Sequence, residues 1–391
     1  MESAFSRVQE VRAYLKAQQN EMVAFLGRLV EMESPSSRPE TQGPVQALLT
    51  DVLEDLAFQV DFVPGGGHLY ARPKARRRGA PYQLLLGHSD TVWPVGTLDT
   101  MPFVVEGNEV RGPGSYDMKA GLVQIAFALR ALRACNLDPE VTPVVFINAD
   151  EEVGSPTSTP YIRRLARCAD RAYVLEPALG RAGGLKTARK GGGRFTVFIE
   201  GKAAHAGLNP EAGRSAIIEL AHVIQKLHAL NDLARGVSVN VGMIDGGLQP
   251  NVVAPTSKAV VDVRVATQAD AEAVEAAIRN LQPTTPGTAL RVEGGFVKAP
   301  MERTPRNRAL WSVAQQAGQA LGLDLAEGFA GGGSDGNTTS LFTATLDGLG
   351  AVGDGAHASH EFLYRDRLVE RCALLTLLIA LPSLRNGTSL T

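Results

Sequence analysis

Residues 143–155, P-V-V-F-I-N-A-D-E-E-V-G-S, constrain this chain more than any other stretch. Val144, Val145, Phe146 and Ile147 form a short apolar run of β-branched and aromatic type. That composition suits a strand buried on both faces of a parallel sheet. The run stops abruptly at three carboxylates, Asp150, Glu151 and Glu152, followed by Gly154. In open α/β sheets, ligands collect at the carboxyl ends of strands. Adjacent carboxylates repel, so three at a buried strand end need a counter-charge. A metal ion supplies one and can leave another carboxylate free as a base. Taken alone, the same residues also read as a solvated acidic turn.

The pattern recurs. Residues 82–94 begin as an apolar strand and end in His88 and Asp90. Positions i and i+2 of an extended chain face the same side. Asp90 can therefore hold the His88 ring as a carboxylate behind a metal histidine does; a satisfied buried histidine beside a turn aspartate is the alternative. Asp117 lies in R-G-P-G-S-Y-D-M-K-A-G, a glycine-bracketed turn opening a helix over residues 122–132. It reads as a ligand or as a simple helix cap. Residues 171–175 form another short strand that ends at Glu176. Repeated strand and helix with acidic or imidazole strand ends predict one α/β sheet carrying one site.

The pattern changes near Leu185. Residues 191–201 read as strand, 215–230 as helix, 237–244 and 257–266 as strands, 270–281 as helix and 290–294 as strand. This βαββαβ order predicts a ferredoxin-like α+β insert, with one sheet edge open to another subunit. The chain then returns to the first domain. A helix is expected over 307–321, a strand over 349–352 and a last helix over 365–381. Between them, Gly331-Gly332-Gly333-Ser334-Asp335 makes a turn whose N–H groups suit an anion. The expected domains are residues 1–186 and 299–391 for the sheet domain and 187–298 for the insert.

Charge narrows the function classes. The nearly balanced net charge of −2, with 20% charged residues, does not indicate a nucleic-acid surface. No apolar run approaches a membrane span, and residues 1–17 lack the apolar core of a signal peptide. Three scattered cysteines, Cys135, Cys168 and Cys372, point to reduced thiols and a cytoplasmic location.

Together G-H-S-D-T-V, R-G-P-G-S-Y-D-M-K-A-G, N-A-D-E-E-V-G-S, L-E-P, G-K-A-A-H-A-G, P-N-V-V-A-P, D-V-R, G-G-G-S-D and A-H-A-S-H-E resemble, in order, the M20 family of metallopeptidases, and within it the glutamate carboxypeptidases. The resemblance covers nearly the whole chain. It implies a zinc-peptidase-like α/β catalytic domain, with a mixed, mostly parallel sheet covered by helices on both faces, and an inserted dimerisation domain that makes a homodimer. It implies two Zn2+ per subunit, replaceable by Co2+ or Mn2+. His88 and Glu176 would bind one ion, Glu152 and His357 the other, and Asp117 both. The bond after Asp117 would be cis, Glu151 would be the general base, and His205 would stabilise the oxyanion, in dimers from the other subunit.

The implied activity is cleavage of the amide bond of an N-acyl amino acid or small peptide, releasing glutamate or aspartate. Arg264, Asn251 and the Gly333–Ser334 turn match positions that line the substrate site in relatives. Arg264 could instead pair with Asp262 or Asp245, and Lys186, Arg189 and Lys190 are expected to be a solvated hinge. Met118 and Tyr116 depart from the common pattern. Residues 296–303 do not clearly supply the carboxylate-binding arginine of glutamate carboxypeptidases. A deacylase of the acetylornithine or succinyl-diaminopimelate type, a dipeptidase, and a catalytically inactive ligand-binding homologue are the other readings.

Overall fold

The structure is a computed structural model that describes residues 5–76 and 79–384. Of the 17-residue start read above, residues 1–4 therefore lie outside the described part. The chain divides into two compact units. One comprises residues 1–188, 303–330 and 334–391; the other comprises 189–302 and 331–333.

The first unit opens with helices α1 (Val8–Ala17), α2 (Gln19–Glu31) and α3 (Gly43–Asp55). Val8, Val11 and Leu15 of α1 and Met22, Phe25, Leu26 and Leu29 of α2 fall at helical spacing and are buried. Strands β1 (Phe58–Val63), β2 (His68–Pro73) and β3 (Tyr82–His88) follow, then a small hairpin of β4 (Val104–Glu106) and β5 (Glu109–Arg111). Next come α4 (Ala120–Ala134), β6 (Thr142–Asn148), α5 (Thr159–Cys168), β7 (Arg171–Val174) and β8 (Leu185–Arg189).

The second unit is β9 (Gly191–Glu200), α6 (Ala216–His228), β10 (Ser238–Gly246), β11 (Thr256–Val265), α7 (Gln268–Arg279) and β12 (Ala289–Lys298). The sheet order β10-β11-β9-β12, all antiparallel, is that of the expected ferredoxin-like topology. Phe195, Val197 and Ile199 of β9 and Val261, Val263 and Val265 of β11 alternate into a core shared with Leu220 and Val223 of α6 and Val274 and Ile278 of α7. Strand β10 lies at a sheet edge, and Met243, Ile244, Leu248 and the α6 residues Ile217 and Ile218 are exposed.

The chain returns to the first unit with α8 (Pro305–Ala320), β13 (Glu327–Ala330), α9 (Asp335–Thr339), β14 (Ala344–Leu346), β15 (Gly353–Asp354), β16 (Phe362–Tyr364) and α10 (Arg365–Ile379). The main sheet runs β1-β2-β6-β3-β7-β14, with β3, β6, β7 and β14 mutually parallel and β1 and β2 antiparallel. Alternate residues separate its faces. Leu85, Val145, Ile147 and Tyr173 join the large core with α1–α4, α8 and α10, while Leu84, Leu86, Val144, Phe146 and Val174 pack with Ile162 of α5. Helix α4 is apolar nearly all round and buried to match.

The strand expected over residues 349–352 does not form. The edge strand is β14, only three residues long and too short to leave a pattern. Residues 349–351 instead bond to the loop after β7: Leu349 N donates to Val174 O (3.2 Å), Gly350 N to Glu176 O (2.8 Å), and Ala351 O accepts from Ala178 N (2.9 Å).

Candidate metal centre

Register brings the strand ends together. β3 and β6 pair in parallel with His88 opposite Asn148, so His88 stands beside the Asp150–Glu152 turn. β7 flanks β3 on its other side and leads to Glu176. Asp117 sits on the turn before α4, and its bond to Met118 is cis, as the resemblance implied. His357 lies between β15 and β16 with φ +60, in the left-handed region.

These side chains converge. His88 Nε2 is 3.6 Å from Asp117 Oδ1 and 3.5 Å from Glu176 Oε1. His357 Nε2 is 3.5 Å from Asp117 Oδ2 and 3.0 Å from Glu152 Oε2. Asp117 thus turns one oxygen to each imidazole. His88, Asp117 and Glu152 can present ligand atoms within 4.8 Å of one another, and so can His88, Glu151 and Glu176. Glu151 therefore belongs to the cluster as well as Glu152.

The electrostatics match a site built for positive charge. Burial opposes charge on His88, but Asp117, Asp90 and Glu176 outweigh it and raise its pKa. Asp117 and Glu152 push His357 up to about 10. Burial raises Glu152, whereas His357 and His88 hold Asp117 well below the usual carboxylate range despite burial. His88 Nε2, Asp117 Oδ1 and Glu152 Oε1 are buried atoms with no hydrogen-bond partner. Such orphans are costly unless something binds them. Imidazole and carboxylate donors without thiolate, three of them orphaned, fit a divalent metal such as zinc.

Two roles differ from expectation. His88 is oriented by the backbone: its Nδ1 donates to the Asp90 carbonyl (2.9 Å), while the Asp90 carboxylate stands farther off at 3.4 Å. That carboxylate instead accepts from Glu151 N (3.2 Å), Glu152 N (3.1 Å) and Ser36 Oγ (2.6 Å). It holds the acidic turn. Asp150 needs no cation, because it accepts from Thr157 N (2.7 Å), Thr157 Oγ1 (2.6 Å), Ser158 N (3.2 Å) and Ser158 Oγ (2.6 Å). Of the three carboxylates, Glu151 and Glu152 are the two that can present oxygens together with His88.

Glu361 is 1% exposed and binds the turn that carries Asp117, a part its sequence position did not reveal. Burial pushes its carboxyl up to about 7 although N–H groups surround it. The Glu176 loop is held by close packing: a Cβ on Gly121 or on Gly350 would meet Leu175 O at 2.3 Å. Buried Arg371 donates to Gly350 O (3.2 Å) and Gly183 O (3.0 Å).

The remaining expected residues have other partners. In the second unit, His205 and Asn251 are neighbours, because His205 bridges to Val252 and Ala206 N donates to Asn251 O (2.9 Å). His205 Nδ1 accepts from Gly207 N (3.1 Å) and Leu208 N (3.2 Å), which leaves its proton on Nε2. Arg264 pairs with Asp262 through two bonds of 2.8 and 3.0 Å, the structural alternative. Asp245 pairs with Lys258 instead. Ser334 caps α9: its amide donates to Asn337 Oδ1 (2.9 Å), and its hydroxyl contacts Gly336 N and Asp347 Oδ2, so neither is free for an anion. Gly333 belongs to the other unit. Lys186 and Arg189 are 8% and 3% exposed, so these two are not the solvated groups expected there, whereas Lys190 is partly exposed.

Residues 187–284 match the M20 peptidase dimerisation domain. Carboxypeptidase G2 of Pseudomonas sp. (strain RS-16) is 28% identical over 351 residues, covering 87% of this chain and 84% of that protein. Aminopeptidase PepT from Bacillus cereus superposes with TM-score 0.79 at 24% identity, covering 93% of this chain and 98% of that one. The M20 metallo-carboxypeptidase Sso-CP2 from Sulfolobus solfataricus superposes with TM-score 0.69 at 16% identity, with coverage of 93% and 98%. The chain is similar to M20 metallopeptidases over most of its length, and these likenesses support a metal-dependent hydrolase. Its likeness to carboxypeptidase G2 extends over most of both chains.

Proposed function

We propose that this chain is a two-zinc exopeptidase or amidohydrolase that releases an amino acid with a free carboxylate from an N-acyl amino acid or small peptide. The observation that carries the reading is Asp117, whose two oxygens face His88 and His357 separately. His88 and Glu176 would hold one ion, Glu152 and His357 the other, and Asp117 both. When bound, the ions supply Lewis acidity and a counter-charge at the scissile carbonyl.

The chain's own groups perform the proton transfers. Glu151 takes a proton from the attacking water and returns it to the leaving nitrogen. Asp90 fixes the backbone of that turn, so Glu151 keeps its position while it changes protonation. His205, with its proton on Nε2, is the donor to the substrate carbonyl oxygen. A second copy of the chain would cover the exposed edge strand β10 and the apolar side chains beside it, giving a homodimer.

Glutamate or aspartate is the first released residue to test, in line with the likeness to carboxypeptidase G2. The Arg264–Asp262 pair favours a second reading, a deacylase for a less acidic amino acid, because a substrate carboxylate would have to compete with Asp262 for the guanidinium. N-acyl-glutamate, N-acyl-ornithine and dipeptide panels separate the two, with metal content measured on the same sample. Glu151→Gln should retain the metal and abolish turnover; surviving turnover removes Glu151 from its role.

A further inference from the structure

We propose that Glu361 is the positioning residue that joins the two ligand loops of the metal centre, holding Asp117 in its place between His88 and His357. This rests on the metal reading above.

The Glu361 side chain has no cation beside it among its hydrogen-bond partners. Its Oε1 accepts from Tyr116 N (2.8 Å) and Asp117 N (3.0 Å), and its Oε2 from Gly114 N (2.9 Å) and Trp93 Nε1 (2.8 Å). An ionised carboxylate has about four acceptor sites, and all are used. Three of the donors are backbone groups of the turn that ends at Asp117. They fix the turn directly, including the amide of the ligand residue.

The same residue ends the loop that carries His357. Glu361 N donates to Ala358 O, and Ala358 N to Gly355 O, both at 2.9 Å. Gly355, at φ +84, packs so closely that a Cβ there would stand 2.9 Å from the Glu361 Cα. The five residues from His357 to Glu361 therefore form one tight turn whose far end grips the Asp117 turn. A shift in either loop moves Asp117 relative to His357. Hydrogen bonding behind a ligand commonly controls metal affinity by about 10- to 100-fold.

Glu361→Gln tests this with almost no change in shape. The amide nitrogen would face two N–H donors, whichever way it turns. Metal affinity is measured on folded protein by chelator competition with zinc, beside kcat, KM and the stability of the metal-free chain. The expected result is a loss of zinc affinity of about 10-fold or more, with KM nearly unchanged. A purely structural role would lower metal-free stability and leave zinc affinity intact; that result overturns the proposal. If Glu361→Gln does not fold, Trp93→Phe removes one donor only. It should weaken zinc binding in the same direction, and unchanged affinity in folded Trp93→Phe protein also overturns the proposal. Failure of the metal reading looks different: the unaltered chain would then bind no zinc.

Discussion

Asp90→Asn separates two jobs that one residue could do. The Asp90 carboxylate accepts the amides of Glu151 and Glu152 on different oxygens, while His88 is held by the Asp90 backbone carbonyl. Asparagine keeps that carbonyl but has one side-chain oxygen instead of two. Whichever way the amide turns, its NH2 faces one of the two amides, and the Ser36 hydroxyl can rotate to suit either. Asp90 is fully buried, so no water replaces the lost acceptor. One orphaned buried donor costs about 1–3 kcal/mol. The turn also loses its fixed position, and loss of such support typically lowers activity about 10- to 100-fold. Denaturant unfolding of metal-free protein reads the first effect, and kcat on the best substrate of the panel reads the second. His88 should keep its tautomer, visible by NMR of the ring. Stability within about 0.5 kcal/mol of the parent, the usual range for inert surface changes, together with unchanged kcat, would refute this role for the carboxylate.

Other outcomes follow from the same contacts. Raised pKa values for His88 and His357 mean that binding a metal expels protons, so zinc affinity should climb with pH and calorimetry in different buffers should detect proton release. In metal-free protein the His357 contribution to stability is complete below its unfolded pKa and is lost as pH rises through about 10; His357→Ala should remove that slope. Asp150→Ala removes the acceptor of two buried donors on Ser158 and of two on the exposed Thr157, and should cost about 1–3 kcal/mol in unfolding experiments. Gly121→Ala drives a methyl into Leu175 O and should destabilise by about 1–3 kcal/mol while weakening zinc binding, since Glu176 is the next residue along. His205→Ala should lower kcat and leave zinc content at the parent level.

Much of the first unit was legible because its central strands β3, β6 and β7 are buried on both faces. An unbroken apolar run such as residues 144–147 has few other places to go, and the polar groups at its end must face a site. The insert was legible from plain alternation, as in Val261, Val263 and Val265. Short elements were not: β14 has three residues, and the polar bonding of residues 349–351 to the Glu176 loop leaves no periodic trace. Side-chain assignments failed where two acceptors lie on one residue. The i, i+2 rule put Asp90 near His88 correctly, but it could not tell carbonyl from carboxylate. Nor could it show that Asp150 turns back to Thr157 and Ser158 while its two neighbours turn to the centre. Glu361 was in view within A-H-A-S-H-E, yet its partners are some 245 positions away in the chain. The sequence leaves Arg264 with Asp262 or Asp245 as its partner, and only the folded sheet selects Asp262.

Anomalous diffraction from crystals grown with zinc tests the central claim most directly. The expected result is two peaks per chain, each about 2.0–2.2 Å from a different oxygen of Asp117, one beside His88 and Glu176 and one beside His357 and Glu152, with Glu151 bound to neither. A single peak, or two peaks that leave Asp117 unligated, would contradict it.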